Sequence, residues 1–315
     1  MNIGVVGAGA VGSAVAELAG EYGHTVTGLA DSGSSVVDPS GIDVATTLER
    51  KQRTGVVGDG DPEAVLSAAY DVLVEATPTT LGDAQPGFGH LEAALKLDRH
   101  VVLANKGPVA ERYADVRALE AQSEGTVRFE ATVGGAIPVL GTIEDIGPDQ
   151  ITAVRGVLNG TANFILSRMA AEGLAYEQVL TEAQDLGVAE SDPAFDVEGT
   201  DAALKCVIVA NVLAGDREYT LADATVEGIR GLPANALELA GEDSRTIRLV
   251  GEVRDGEVRV APRLVPENGA MAVSGTRNIV QFETTNAGPL FHSGRGAGGP
   301  ETASAIFADI SRLDD

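Results

Sequence analysis

Over the first 135 residues, short apolar runs alternate with segments of helical period. NIGVV (2–6), HTVTGLA (24–30), DVLVEATPT (71–79), HVVLANKGPV (100–109) and VRFEATVGG (127–135) read as strands. SAVAELAGEY (13–22), HLEAALKLD (90–98) and ERYADVRALEAQSEG (111–125) read as helices, with 82–89 as a loop. Repeated βα units predict a doubly wound parallel sheet with ligands at the carboxyl ends of its strands. The second half reads differently. ITAVRGVL (151–158), RLVGEVR (248–254), EVRVAPRLV (257–265) and NIVQFET (278–284) are strand-like, and FILSRMAAEG (164–173) is helical. They predict a mainly antiparallel sheet covered by helices, an α+β unit. DAALKCVIVANVLA (201–214) is apolar on nearly every face. A helix of that kind is buried, so Lys205 is expected inside the protein. The tail turns on Gly294, Gly296 and Gly298 and ends in a helix of about a dozen residues.

At 315 residues the chain is long enough for two domains with sizeable cores. Its 47 acidic and 22 basic residues give a formal net charge of -25. Such a surface repels nucleic acid and anionic membranes. No apolar run approaches membrane-spanning length and no targeting segment is seen, so a soluble cytoplasmic protein is expected. Only four basic residues are lysines: Lys51, Lys96, Lys106 and Lys205. Lysine scarcity with acidic excess resembles proteins of salt-loving microbes, in which a Debye length of about 3 Å at 1 M salt screens self-repulsion. An ordinary acidic enzyme is the other reading. The single cysteine, Cys206, excludes an intramolecular disulfide and reads as a small apolar filler.

Gly7-Ala8-Gly9-Ala10-Val11-Gly12 follows the first strand and opens a helix. This is the context in which G-x-G-x-x-G indicates a dinucleotide site. Gly7 allows the tight turn, Gly9 lets the backbone approach a pyrophosphate, and Gly12 permits close helix–strand packing. The N–H groups opening the helix, at Ala10 and Val11, face the phosphates. Asp31, ending the second strand, suits the ribose hydroxyls of NAD. Arg50, Lys51 and Arg53 are candidates for the 2′-phosphate of NADP, so the choice of dinucleotide stays open. Thr77, Pro78 and Lys106 fall at strand ends.

Residues 190–201 hold Glu190, Asp192, Asp196, Glu198 and Asp201, with Lys205 four residues later. Gly187, Pro193 and Gly199 break the stretch into turns before a helix that starts near Thr200. A buried lysine beside carboxylates suits proton transfer. An ordinary i,i+4 Asp–Lys helix pair is the plainer reading. Position for position, Ala183, Gly187, Asp192-Pro193, Asp196, Gly199, Asp201 and Lys205 resemble the signature segment of homoserine dehydrogenases. Asn105-Lys106 with Pro108, VGG (133–135), NGTAN (159–163) and the GAG run (296–298) follow the family order across essentially the whole chain.

The resemblance implies NADP- or NAD-dependent interconversion of L-homoserine and L-aspartate 4-semialdehyde. It implies Lys205, Asp201 and Lys106 as catalytic residues, with Lys106 facing both cofactor and substrate. Glu190 is expected to bind the substrate ammonium, with Asp196 the second candidate. Asn159 and Thr161 lie beside the substrate, although helix capping is their plainer role. Gly298 completes the cofactor site. A sodium or potassium ion on the backbone oxygens of Glu130, Val133, Gly135 and Ile137 is also implied, though Gly135 and Ala136 match that motif only loosely. The expected division is 1–133, completed by 294–315, for the dinucleotide, and 134–293 for catalysis and homodimerisation. Ending at Asp315, the chain is expected to lack the regulatory domain and fused aspartate kinase of longer members, and with them threonine feedback. The alternatives are another two-domain amino-acid dehydrogenase, of aspartate or diaminopimelate type, and a non-catalytic NAD-binding sensor.

Overall fold

In this computed structural model, residues 1–215 and 217–313 are described. The chain divides into two compact units, Met1–Ala136 with Ala297–Asp315, and Ile137–Gly296. The last two residues of the tail expected to return to the first domain, 314–315, lie outside the described residues.

The first unit opens with β1 (Asn2–Val6), α1 (Ala10–Leu18), β2 (Thr25–Ala30), β3 (Ser35–Val37) and α2 (Val44–Thr54). It continues through β4 (Val72–Glu75), α3 (Gly87–Leu95), β5 (His100–Leu103), α4 (Gly107–Glu111), α5 (Tyr113–Glu120) and β6 (Val127–Arg128). The sheet order is β3-β2-β1-β4-β5-β6. All pairs are parallel except β3, which runs antiparallel to β2. β4 is buried at every residue, the mark of a strand covered on both faces. From β1 the chain builds outward first through β2 and β3, then through β4 to β6. The switch point therefore lies at the carboxyl end of β1, beside Gly7.

The predicted strand 127–135 is shorter than its pattern suggests. Only Val127 and Arg128 pair, with β5. Beyond them Glu130–Thr132 tightens into a 3-10 turn. The backbone groups there find other partners: the Glu130 N–H donates to Asp309 Oδ2 at 2.7 Å, and the Val133 N–H to the Glu130 carbonyl at 3.2 Å. With those bonds made locally, no ladder is required.

The second unit contains α6 (Leu140–Ile146), β7 (Ile151–Val157), α7 (Gly160–Glu172), α8 (Tyr176–Asp185), α9 (Ala194–Val197) and α10 (Thr200–Ala214). Then come β8 (Ala224–Val226), α11 (Ala234–Glu242), β9 (Arg245–Arg254), β10 (Glu257–Pro266), β11 (Arg277–Thr284) and β12 (Gly288–Arg295). Their sheet has the order β12-β11-β7-β9-β10-β8 and is antiparallel apart from β8 on β10. β12 has no counterpart in the hydrophobic pattern, because no residue of this edge strand is fully buried. Gly294 is part of it rather than of a turn. α10 lies directly on β9. A Cβ added at Gly251 would stand 2.4 Å from Cys206 Sγ. Burial pushes that thiol up to about 12, so Cys206 stays protonated and acts as packing.

The chain then returns to the first unit as α12 (Gly299–Ile310). Ile306, Phe307 and Ile310 join Ile3, Val5, Val15, Leu29 and Val74 in one core cluster. Phe307 also stacks on Tyr22, with ring centroids 4.1 Å apart. The helix is thus part of the first unit's core. Asp309 anchors it to the Glu130 N–H, and both carboxylates are buried.

Burial and the neighbouring Glu130 carboxylate push the Asp309 carboxyl up to about 7. Its folded form therefore holds a proton that the unfolded chain gives up near its ordinary value of 3.8. Stability from this group is fully present below that value and falls as pH rises toward about 7. Asp309→Asn should remove this decline, a difference of a few kcal/mol at about 1.4 kcal/mol per pKa unit. Thermal melts of parent and variant across that range test it; parallel pH profiles would contradict it.

Candidate active site

The carboxyl edge of the first sheet carries a glycine cradle. A Cβ at Gly12 would stand 1.9 Å from the Gly7 carbonyl, so α1 packs this close only with glycine there. Gly9 has open space around its Cα, and it caps α1 without a side-chain bond. The N–H groups at Ala10 and Val11 thus open the helix beside a clear approach. Gly298 caps α12, and a Cβ at the next residue, Gly299, would stand 2.7 Å from the Ala10 carbonyl. The start of α12 therefore lies against the start of α1. Position 299 was not singled out by the sequence, although it extends the same glycine run.

At the end of β2, Asp31 accepts from the N–H groups of Gly33 and Ser34 at 3.0 and 2.7 Å and from the Ser34 hydroxyl at 2.9 Å. Lys51 Nζ completes the set at 2.9 Å. Partial burial opposes its charge, but the Lys51 ammonium and these donors outweigh it and hold the carboxyl below the usual carboxylate range. Of the three basic candidates only Lys51 joins Asp31. Arg50 pairs with Asp59, and Arg53 is exposed. Thr77 and Pro78 follow β4. Asn105 and Lys106 follow β5, and Asn105 Nδ2 donates to Thr77 Oγ1 at 3.1 Å. The Lys106 N–H donates to Thr79 Oγ1 at 3.3 Å. A cavity of about 600 Å³ lined by Tyr70, Asp71, Arg99 and His100 lies at the opposite, amino edge of the same sheet. It contains none of these residues.

In the second unit the acidic segment and the end of β7 converge. Lys205 and Asp201 are each 7% exposed, well beyond what a surface i,i+4 pair shows. Lys205 Nζ donates to Asp201 Oδ2 at 2.7 Å and to the Leu158 carbonyl at 2.7 Å. Asn159 Nδ2 donates to the same Asp201 Oδ2 at 2.9 Å and to Asp196 Oδ1 at 2.6 Å. Its Oδ1 accepts the Ala162 N–H at 2.8 Å, capping α7. Asn159 therefore caps a helix and bridges two carboxylates at once. Thr161 donates to the Val188 carbonyl at 3.1 Å and ties α7 to the loop after α8.

The two ammonium candidates stand in different surroundings. Asp196 joins the lysine cluster through Asn159. Glu190 is exposed, and among the described residues its carboxylate makes no hydrogen bond or ion pair. The Leu158 carbonyl, which accepts a hydrogen bond from the lysine ammonium, has no signature in the sequence, because a backbone atom leaves no trace in residue type. Of the residues expected to hold a cation, Glu130 and Val133 are bonded to each other through the backbone, with the Glu130 carbonyl accepting the Val133 N–H. Gly135 has φ +55°, and Ile137 opens the second unit. Among the described residues no group of three or more His, Cys, Asp or Glu side chains is placed to hold a metal.

A parallel sheet with a glycine cradle at its switch point is the architecture of dinucleotide-binding proteins. The family model for homoserine dehydrogenase matches residues 138–311. That for glutamate/leucine/phenylalanine/valine dehydrogenase matches only residues 1–79, the stretch with the glycine cradle. A homoserine dehydrogenase of Methanocaldococcus jannaschii is 39% identical over 99% of this chain and 98% of its own. An NAD(+)-dependent homoserine dehydrogenase of Pseudomonas canavaninivorans is 34% identical over 99% and 96%. The crystal structure of a putative homoserine dehydrogenase from Archaeoglobus fulgidus superposes with a TM-score of 0.91 at 40% identity, covering 98% of both chains. A hyperthermophilic archaeal homoserine dehydrogenase in complex with NADPH gives 0.85 at 28% identity, covering 99% of this chain and 96% of that one. The chain belongs to the homoserine dehydrogenase family.

Asn159→Ala removes the α7 cap and the bridge together. Loss of the cap alone is expected to cost about 1 kcal/mol, and the buried Asp201 carboxylate, left short of one donor, adds to it. Denaturant unfolding should show a loss of about 2 kcal/mol or more; a loss under about 0.5 kcal/mol would show that the bridge carries no stability.

Proposed function

We propose that Lys205 carries the proton in the interconversion of L-homoserine and L-aspartate 4-semialdehyde, the reaction of this family. The observation that carries the proposal is the buried Lys205–Asp201 pair, bridged through Asn159 to Asp196. An ammonium has three donors. Leu158 and Asp201 take two, leaving one N–H for a substrate oxygen. When bound, the dinucleotide supplies or accepts the hydride. In the reductive direction Lys205 gives its remaining proton to the aldehyde oxygen as the hydride reaches the carbon. In the oxidative direction it takes that proton back. Asp201 orients the ammonium and balances its charge. Asp196, with Glu190 as the second candidate, receives the substrate ammonium. Lys106 holds the substrate oxygen or assists the transfer. Asn159 and Thr161 shape the substrate side.

Gly7, Gly9, Ala10, Val11 and Gly12 receive the pyrophosphate in this reading, with Thr77, Pro78 and Gly298 beside the dinucleotide. The Asp31–Lys51 pair sets the choice between NAD and NADP: the carboxylate accepts ribose hydroxyls, and the ammonium meets a 2′-phosphate. We further propose a homodimer packed on the second sheet. Arg155, Glu252, Arg254 and Glu283 form a network of alternating charge on that sheet, with Arg155 2.6 Å from Glu252 and 2.8 Å from Glu283. A two-fold contact uses the same patch of both copies, and a sheet face offers one continuous patch for it. No helix among the described residues is long and apolar enough to cross a membrane. We place the protein in the cytoplasm, where nicotinamide dinucleotides are kept.

The purified chain is expected to reduce NAD or NADP with L-homoserine, faster in multimolar potassium chloride than in dilute buffer, and not with aspartate or diaminopimelate. Turnover with either of those instead would move the reaction to another amino-acid dehydrogenase. Lys205→Ala should lower kcat by about 100-fold or more with dinucleotide affinity unchanged; full activity would remove the lysine from its role. Asp31→Ala should shift the ratio of kcat/KM for NAD over NADP down by about tenfold, and Lys51→Ala should shift it up by a similar factor, each a change of about 1.4 kcal/mol. An unchanged ratio in both variants would sink the selector role of the pair.

A further inference from the structure

The strand β4 reads VLVE, and its last residue, Glu75, is 0% exposed. A carboxyl group in so apolar a setting is costly unless its oxygens are met. One oxygen is. Glu75 Oε1 accepts the Thr77 hydroxyl, the Thr77 N–H at 3.2 Å, and lies 3.4 Å from His90 Nδ1. Glu75 Oε2 is buried with no partner among the described residues. From Thr77 the bonds run on to β5. The Thr77 hydroxyl accepts from Asn105 Nδ2 at 3.1 Å, the same amide lies 3.4 Å from the Pro78 carbonyl, and Asn105 Oδ1 accepts the Gly107 N–H at 2.9 Å. Lys106 sits between the last two residues. The packing leaves little slack: a Cβ at Gly87 would fall 2.5 Å from Asn105 Nδ2 and 3.1 Å from Glu75 Oε2.

We propose that Glu75 is a positioning residue for the cofactor edge of the first unit. A threonine hydroxyl has one proton. By accepting it, Glu75 fixes the direction in which Thr77 donates and leaves its lone pairs for Asn105. That choice sets Pro78 and the turn carrying Lys106 in one geometry. Without the acceptor, the hydroxyl is free to rotate, and the ends of β4 and β5 lose their link. His90 steadies the carboxylate from α3. The proposal rests on the reading of this unit as the dinucleotide-binding one.

The test uses the full chain with Thr77→Val, Glu75→Ala and Glu75→Gln. Affinity for reduced dinucleotide is measured by its fluorescence, alongside kcat and the KM for homoserine. Thr77→Val and Glu75→Ala are each expected to weaken dinucleotide binding about tenfold, the loss of one anchoring hydrogen bond, and to lower kcat. The double variant should be no worse than the poorer single one. Glu75→Gln keeps an acceptor for the hydroxyl and should recover most of the binding. Parent-like binding and kcat in Thr77→Val, multiplying effects in the double variant, or a Glu75→Gln as weak as Glu75→Ala would each overturn the proposal. A parent chain that binds no dinucleotide would instead fell the underlying reading, and the proposal with it.

Discussion

The second unit is arranged around one buried ammonium. Taking Lys205 out of water costs several kcal/mol unless a carboxylate and further acceptors meet it. Three separate elements supply them. The end of β7 gives the Leu158 carbonyl, the first turn of α10 gives Asp201, and the cap of α7 gives Asn159, which binds Asp201 from the other side. A strand end and two helix starts are therefore held at one point by the needs of a single charge. The apolar faces of α10 provide the burial, and Gly251 lets that helix approach β9 closely enough to complete it. The same burial that stabilises α10 leaves Lys205 only 7% exposed.

The first unit meets its anionic ligand by another means. In a chain of net charge -25 and four lysines, the cradle relies on backbone geometry and helix N-termini rather than on a cluster of cations. Gly12 brings α1 against β1, and α12 returns to lay a second helix start beside the first. Asp31 and Lys51 add one charge of each sign where the ribose is expected, and the two neutralise each other at 2.9 Å. Below them the Glu75–Thr77–Asn105 chain joins β4 to β5. In each unit, polar side chains tie the segments that follow the strands to one another.

The parts legible in the sequence were those written in local spacing. The glycine cradle, the parallel βα order and the all-round apolar α10 follow from periodicity and turn residues within single elements. The rest depends on partners far apart in the chain. VRFEATVGG reads as one strand, yet its second half turns, because the Glu130 N–H bonds a carboxylate 179 residues away. Glu190 and Asp196 look equivalent in composition. Asp196 enters the cluster because an asparagine 37 residues earlier reaches it, and spacing alone carries no sign of that. β12 escaped notice because an edge strand with glycine, proline and half-exposed residues lacks the alternation that marks a buried one. The burial of Lys205 was within reach of the sequence, because α10 is apolar on nearly every face.

The central claim is that Lys205 and Asp201 act as one unit in proton transfer. A double-mutant cycle on kcat with Lys205→Met and Asp201→Asn tests it most directly. The account predicts strong non-additivity, with the double variant no slower than the Lys205→Met variant, because the carboxylate works only through the ammonium. Independent, multiplying losses would contradict it and give Asp201 a role of its own.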